Sequence, residues 1–217
     1  MSNEIKIYNS PMQNPDEVKI APLTEEVVPK KYSFWGEITT FLIIAVFIVL
    51  PFRYFIAEPY IVDGTSMSPT FSTGNYLIVD KISWKLTTPS RYDVVVMLFP
   101  DPDHSNPAKD FIKRIIGLPG ETVSINHGAV TIINAENPKG ILLDQSFVKY
   151  PKDDTMTLTL KDDEYFVMGD NRAGSYDSRY WGPLPKKDII GHPILRLFPV
   201  SKIGVIPGGF RPAETKK

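Results

Sequence analysis

The sequence predicts a mainly β fold: an antiparallel β-sheet domain with an inserted β-subdomain, preceded by one N-terminal transmembrane helix. Short runs rich in β-branched and aromatic residues, each bounded by turn residues, fill the chain after residue 58. Twenty prolines against fourteen glycines favour short strands broken by turns over long helices. A single stretch of different character, almost wholly apolar, comes before them.

That stretch, "FWGEITTFLIIAVFIVLPFRYFIA" at 34–57, has an uninterrupted apolar centre from Phe41 to Leu50. With Ile38, Pro51, Phe52 and its flanking aromatics it reaches the roughly 20 residues that a bilayer requires. Apolar residues on every face argue against a half-buried core helix. A cleaved secretory signal fits less well. Acidic pairs such as Asp16-Glu17 and Glu25-Glu26 replace a short basic leader, and no small-residue cleavage motif follows. Lys30 and Lys31 precede the stretch, and after Arg53 the next basic residue is Lys81. The positive-inside bias therefore predicts a cytoplasmic polar tail over 1–33 and an extracytoplasmic domain over 58–207. Residues 208–217 read as a C-terminal tail.

The strands are expected at "YLIVDKI" (76–82), "YDVVVMLF" (92–99), "DFIKRIIG" (110–117), "ETVSIN" (121–126) and "AVTIIN" (129–134). "EYFVMG" (164–169) and "DIIGHPILRLFPV" (188–200) follow. Turn signals such as "STGN", "NHG", "ENPKG" and "GDNRAGS" separate them, as in antiparallel sheets and unlike βαβ units. The more polar segment from about 121 to 163 is expected to form the inserted subdomain.

Composition narrows the chemistry. With a net charge of −1, nothing in the composition suggests a nucleic-acid binder. The absence of cysteine excludes a thiolate metal site and a cysteine nucleophile. His104, His127 and His192 lie in unrelated contexts without paired-ligand spacing, so a zinc site is not expected. A Ser-His-Asp triad stays open, because its members need not be neighbours, although no G-x-S-x-G elbow supports one. The other base available to a serine is a lysine. Lys113 shares a strand face with Phe111 and Ile115 under period-two alternation. Such a lysine ordinarily faces solvent from an edge strand. Burial would instead lower its pKa, and a neutral amine could then take a proton from a serine hydroxyl.

Three segments in order, "SMSPT" (66–70), "KRIIGLPGE" (113–121) and "GDNRAGSYDSR" (169–179), resemble the boxes of the type I signal peptidase (leader peptidase) family. "GNYLIVDK" resembles a further family pattern, with Asn75 in place of its usual aspartate. The resemblance runs from the anchor to about residue 200. It implies a membrane-anchored Ser/Lys endopeptidase that removes signal peptides from exported preproteins, without a cofactor, metal or nucleic acid. By position it implies Ser66 as nucleophile, Lys113 as general base and Ser175 as the hydroxyl orienting the lysine amine. It further implies that Met67 supports the nucleophile loop, while Arg114, Asp170, Asp177 and Arg179 shape the site. Some members carry a serine two residues before the nucleophile to bind the oxyanion. Gly64 stands there in this chain, contributing through close approach of its backbone, with the Ser66 N–H as first donor. The partners implied are preproteins with small residues before the cut and the lipid bilayer. The membrane implied is a bacterial plasma membrane, with thylakoid or organellar inner membranes as alternatives. An anchored Ser/Lys peptidase with another processing task, and an anchored β-domain that binds exported chains without cutting them, are the competing readings. A fully extended chain from Ala57 holds Ser66 within roughly 30 Å of the anchor's end, where a signal peptide's cleavage site emerges.

Overall fold

The structure, a computed structural model, describes residues 34–49, 57–100 and 109–212. Phe34–Ile44 form an α-helix that continues as one π-helical segment, Ala45–Val49. Most of its described apolar side chains are exposed, Trp35, Phe41 and Phe47 by 70% or more. No helix among the described residues is long and apolar enough to cross a membrane. Residues 50–56 of the expected anchor, and the tail over 1–33, lie outside the described residues.

The remaining chain is antiparallel β. Its strands are β1 (Ala57–Ile61), β2 (Tyr76–Asp80), β3 (Val94–Leu98), β4 (Asp110–Gly117), β5 (Thr122–Asn126) and β6 (Ala129–Ile133). They continue with β7 (Ile141–Leu142), β8 (Met156–Thr159), β9 (Glu164–Met168), β10 (Leu184–Pro185), β11 (Ile189–Phe198) and β12 (Gly204–Val205). The larger sheet runs β1-β2-β11-β3-β4-β9-β10, with β12 on β11. β1, with Pro59 inside it, occupies the edge, where a missing N–H costs no ladder bond. Residues 122–159 fold separately into a four-stranded sheet, β7-β6-β5-β8, inserted between β4 and β9.

Three apolar clusters hold these layers. Val95, Met97, Ile115, Tyr165, Val167, Leu184 and Ile189 fill one face of the larger sheet. Ile116, Phe166 and Met168 meet Val123, Ile125, Val130 and Ile132 of the smaller sheet in the second cluster. Val62, Met67, Phe71, Leu77 and Val94 form the third, beneath the turn that carries Ser66.

Candidate active site

Ser66 lies half-buried in the turn joining β1 to β2. Backbone bonds close the turn at its base, Val62 N–H donating to Asn75 O and Gly74 N–H to Val62 O, both at 2.9 Å. Met67, next to Ser66, is 1% exposed and packs into the third cluster with Phe71. The buried neighbour fixes the turn and leaves Ser66 facing the groove. Gly64 has φ +102°, a conformation that a Cβ disfavours. No described atom lies within 4 Å of where that Cβ would stand, so backbone conformation is the local demand for glycine. Gly64 N–H donates to Thr73 Oγ1 at 3.0 Å, and the same hydroxyl donates back to Gly64 O at 3.2 Å. The Ser66 N–H donates to no acceptor among the described residues.

Lys113 sits in the middle of β4, between β3 and β9, opposite Val95. Its exposure is 3%, so the solvent-facing edge lysine is not what forms. Nζ donates to Ser66 Oγ at 2.9 Å and to Ile112 O at 3.1 Å, and stands 5.0 Å from the Phe111 ring centre. Among the described residues no carboxylate pairs with it. Burial pulls its pKa from 10.5 to about 8; Asp177 opposes the shift and Arg179 adds to it. A sizeable minority of the amine is thus neutral near physiological pH, with its nitrogen in contact with a serine hydroxyl. Such a pair can deprotonate the serine.

The segment 169–179 frames this pair. Arg114 Nε and Nη2 grip Asp170 through bonds of 2.8 and 2.6 Å, with both residues almost fully buried. Thr70 Oγ1 donates to Asp170 at 2.5 Å, and Arg114 Nη1 reaches Tyr92 O at 2.9 Å and Gly208 O at 2.7 Å. The Arg114–Asp170 pair therefore ties β4 to the nucleophile turn and to the chain after β12. Asp177 accepts from Arg179 Nε and Nη2 at 2.7 and 2.8 Å and from Gly169 N–H at 3.0 Å. Arg179 Nη1 continues to Asp154 at 2.5 Å. Ser175 is buried, and its Oγ has no hydrogen-bond partner among the described residues.

Residues not singled out in the sequence complete the frame. Asn171 N–H donates to Ser66 O at 3.0 Å, and Asn171 Nδ2 to Thr65 O at 3.2 Å. A Cβ on Gly169 would stand 2.3 Å from Ser175 Oγ and 2.4 Å from Ser66 O. Glycine there lets the two serines approach across one small gap. Both residues belong to the "GDN" run. Neither carries a reactive group that stands out in the sequence; Gly169 acts by giving space, and Asn171 docks on the nucleophile turn through its backbone N–H and its amide. Of the histidines, His127 pairs with Asp153 on an exposed hairpin at 2.9 Å, His192 lies on β11, and His104 is outside the described residues.

An open groove of about 280 Å³ runs over the pair, walled by Tyr60–Ser66 on one side and Asp110–Lys113 on the other. A serine hydroxyl touching a buried amine in an open groove is an arrangement suited to a serine hydrolase. The family described as "Signal peptidase, peptidase S26" matches residues 35–198. A probable signal peptidase I-1 of Synechocystis is 35% identical over 192 residues, covering 87% of this chain and 95% of the relative. Signal peptidase I V of Bacillus subtilis is 36% identical over 158 residues, covering 69% and 90% respectively. A probable thylakoidal processing peptidase 2 of Arabidopsis thaliana is 36% identical over 166 residues, 75% of this chain but 44% of that longer protein. The chain belongs to the signal peptidase S26 family of serine endopeptidases.

Proposed function

We propose that this protein is a signal peptidase I that cuts signal peptides from exported preproteins by a Ser66/Lys113 mechanism. The observation that carries the reading is the 2.9 Å contact between Lys113 Nζ and Ser66 Oγ, made by a buried lysine whose pKa is lowered to about 8. Neutral Lys113 takes the Ser66 proton as Oγ attacks the carbonyl after a small residue. The tetrahedral oxyanion forms beside the uncommitted Ser66 N–H. Protonated Lys113 then hands its proton to the departing amine, leaving an acyl-enzyme and the mature protein. Water deprotonated by Lys113 attacks the ester and frees the signal peptide with Ser66 restored.

Ser175 serves as the lysine-orienting hydroxyl; its buried, unpartnered Oγ faces the gap beside Ser66. Met67 holds the nucleophile turn, and Arg114, Asp170, Asp177 and Arg179 act as the rigid frame. Gly64 commits its N–H to Thr73, which supports a conformational role for it in the oxyanion region. The substrate lies extended in the groove, its small side chains against the apolar lining. The apolar stretch 34–57 anchors the protein once in the membrane, N-terminus cytoplasmic, in a bacterial plasma membrane. The 44% coverage of the Arabidopsis relative keeps the thylakoid setting second.

The direct test incubates the detergent-solubilised full chain with a preprotein and reads the cut by mass spectrometry. Cleavage after a small residue, lost in Ser66→Ala and Lys113→Ala variants that remain folded, is the expected result. Near-normal cleavage by either variant would sink the mechanism.

A further inference from the structure

The groove over Ser66 is lined by apolar residues such as Ile61, Leu77, Val96 and Phe111, and by two acidic ones. Asp63 lies three residues before Ser66 on one wall, and Asp110 three residues before Lys113 on the other. Both are exposed, and neither makes an ion pair among the described residues. Nearby Glu58, by contrast, is neutralised by Lys81 at 2.9 Å. Tyr60, also on the wall, is pushed well above its ordinary pKa, chiefly by burial and then by Asp110 and Glu58. Its hydroxyl therefore stays a neutral donor and adds no charge of its own. The one cation lining the groove among the described residues is Lys113, which must be neutral to act as a base. Among the described residues, the groove in its working form thus carries two negative charges with no ion-pair partner.

We propose that Asp110 and Asp63 make the groove charge-selective, favouring polypeptides with Lys or Arg a few residues from the scissile bond and rejecting Asp or Glu there. This rests on the peptidase reading above and specifies its substrates further. Three strand residues place Asp110 about 10 Å along β4 from Lys113, which is two to four residues along an extended substrate. A single charge met at about 6 Å in a water-like dielectric changes the rate about threefold, so exchanging Lys for Glu gives about tenfold. The selectivity tunes the choice among signal peptides that already satisfy the small-residue requirement at the cut.

The test uses the full chain in detergent and a peptide series with one constant small-residue cleavage site. Lys, Gln or Glu is placed in turn at each position from two to four residues on either side of the cut. The expected result is a Lys-over-Glu ratio in kcat/KM of about tenfold at one or more positions, shrinking as salt rises. Asp110→Asn or Asp63→Asn brings the ratio to within about twofold, and Asp110→Lys inverts it. Equal cleavage of Lys and Glu peptides at every position overturns the proposal. So does a ratio untouched by all three substitutions. Failure to cut the Gln peptides as well would overturn the peptidase reading itself, and the selectivity with it.

Discussion

At the scale of single residues, the site turns on placing a lysine where it cannot comfortably hold its charge. Because the base must be neutral, kcat/KM should rise with pH through about 8, the value to which burial lowers Lys113. A rise centred where free histidine titrates would contradict a lysine base. The same burial costs stability. Between about pH 8 and 10.5 the unfolded chain holds a proton on Lys113 that the folded one has lost, so stability climbs with pH across that window. The penalty is fully present below pH 8. Lys113→Met should therefore abolish cleavage yet stabilise the fold at pH 7 by about 2–3 kcal/mol, a gain that shrinks between about pH 8 and 10.5. Thermal melts of both proteins across pH check this. Gly169 makes the opposite demand, for space. In Gly169→Ala the new methyl would stand 2.4 Å from the Ser66 carbonyl oxygen, a backbone atom with little freedom to yield. Activity should fall by about 100-fold or more, as an ångström-scale misplacement does, while circular dichroism stays native.

At the scale of elements, β4 decides the site because it is buried on both faces. Its run 113–117 is buried throughout, so Lys113 points to Ser66 while Arg114, one residue on, points to Asp170. The run 110–117 was legible in the sequence to the residue, because its apolar content and flanking turns are local signals. Whether it was a central strand was not legible, since that depends on β3 and β9 arriving on either side. The solvent-facing lysine was a fair local reading that long-range pairing overrides. β1 was hidden for a related reason: it follows directly on the apolar stretch, and Pro59 weakens its strand pattern. The two-residue strands β10 and β12 exist only through their partners. The boxes around Ser66, Lys113 and Asp170 were legible because reactive side chains announce themselves; Gly169 and Asn171 were not. The buried Arg114–Asp170 pair also yields a prediction. Removing one partner, by Arg114→Met or Asp170→Leu, should destabilise by about 3–5 kcal/mol, because a buried charge is left alone. The double substitution should recover much of that loss in urea melts. Additive losses would show that the two residues do not act as a pair.

At the scale of the whole molecule, the two sheets are joined by more than the covalent insertion. Tyr92 of the loop before β3, Phe147 of the segment after β7 and Phe210 near the end form an aromatic trio, with ring centres 4.8 to 6.0 Å apart. The Arg114 guanidinium lies 4.5 Å above the Phe147 ring, and Arg114 also holds Gly208 O. The chain after β12 is thus built into the catalytic domain as far as Phe210, beyond where a free tail was expected to start. Phe210→Ala should cost about 2–3 kcal/mol, less than a fully buried phenylalanine because the side chain is part-exposed. Limited proteolysis should then cut first in the smaller sheet or the last ten residues.

The strand order has a consequence in time. β2 and β3, neighbours in sequence, are held apart in the sheet by β11, which is made more than ninety residues after β3 begins. The turn bearing Ser66 is braced from the same late part of the chain, by Asp170 on Thr70, Asn171 on Ser66 O and Arg196 on Thr70 O at 2.8 Å. A ribosome that has released Ser66 and Lys113 has therefore not yet produced a working protease. Ser66 and Lys113 are braced in place only once residues up to Arg196 are out, so a part-made chain is spared its own blade.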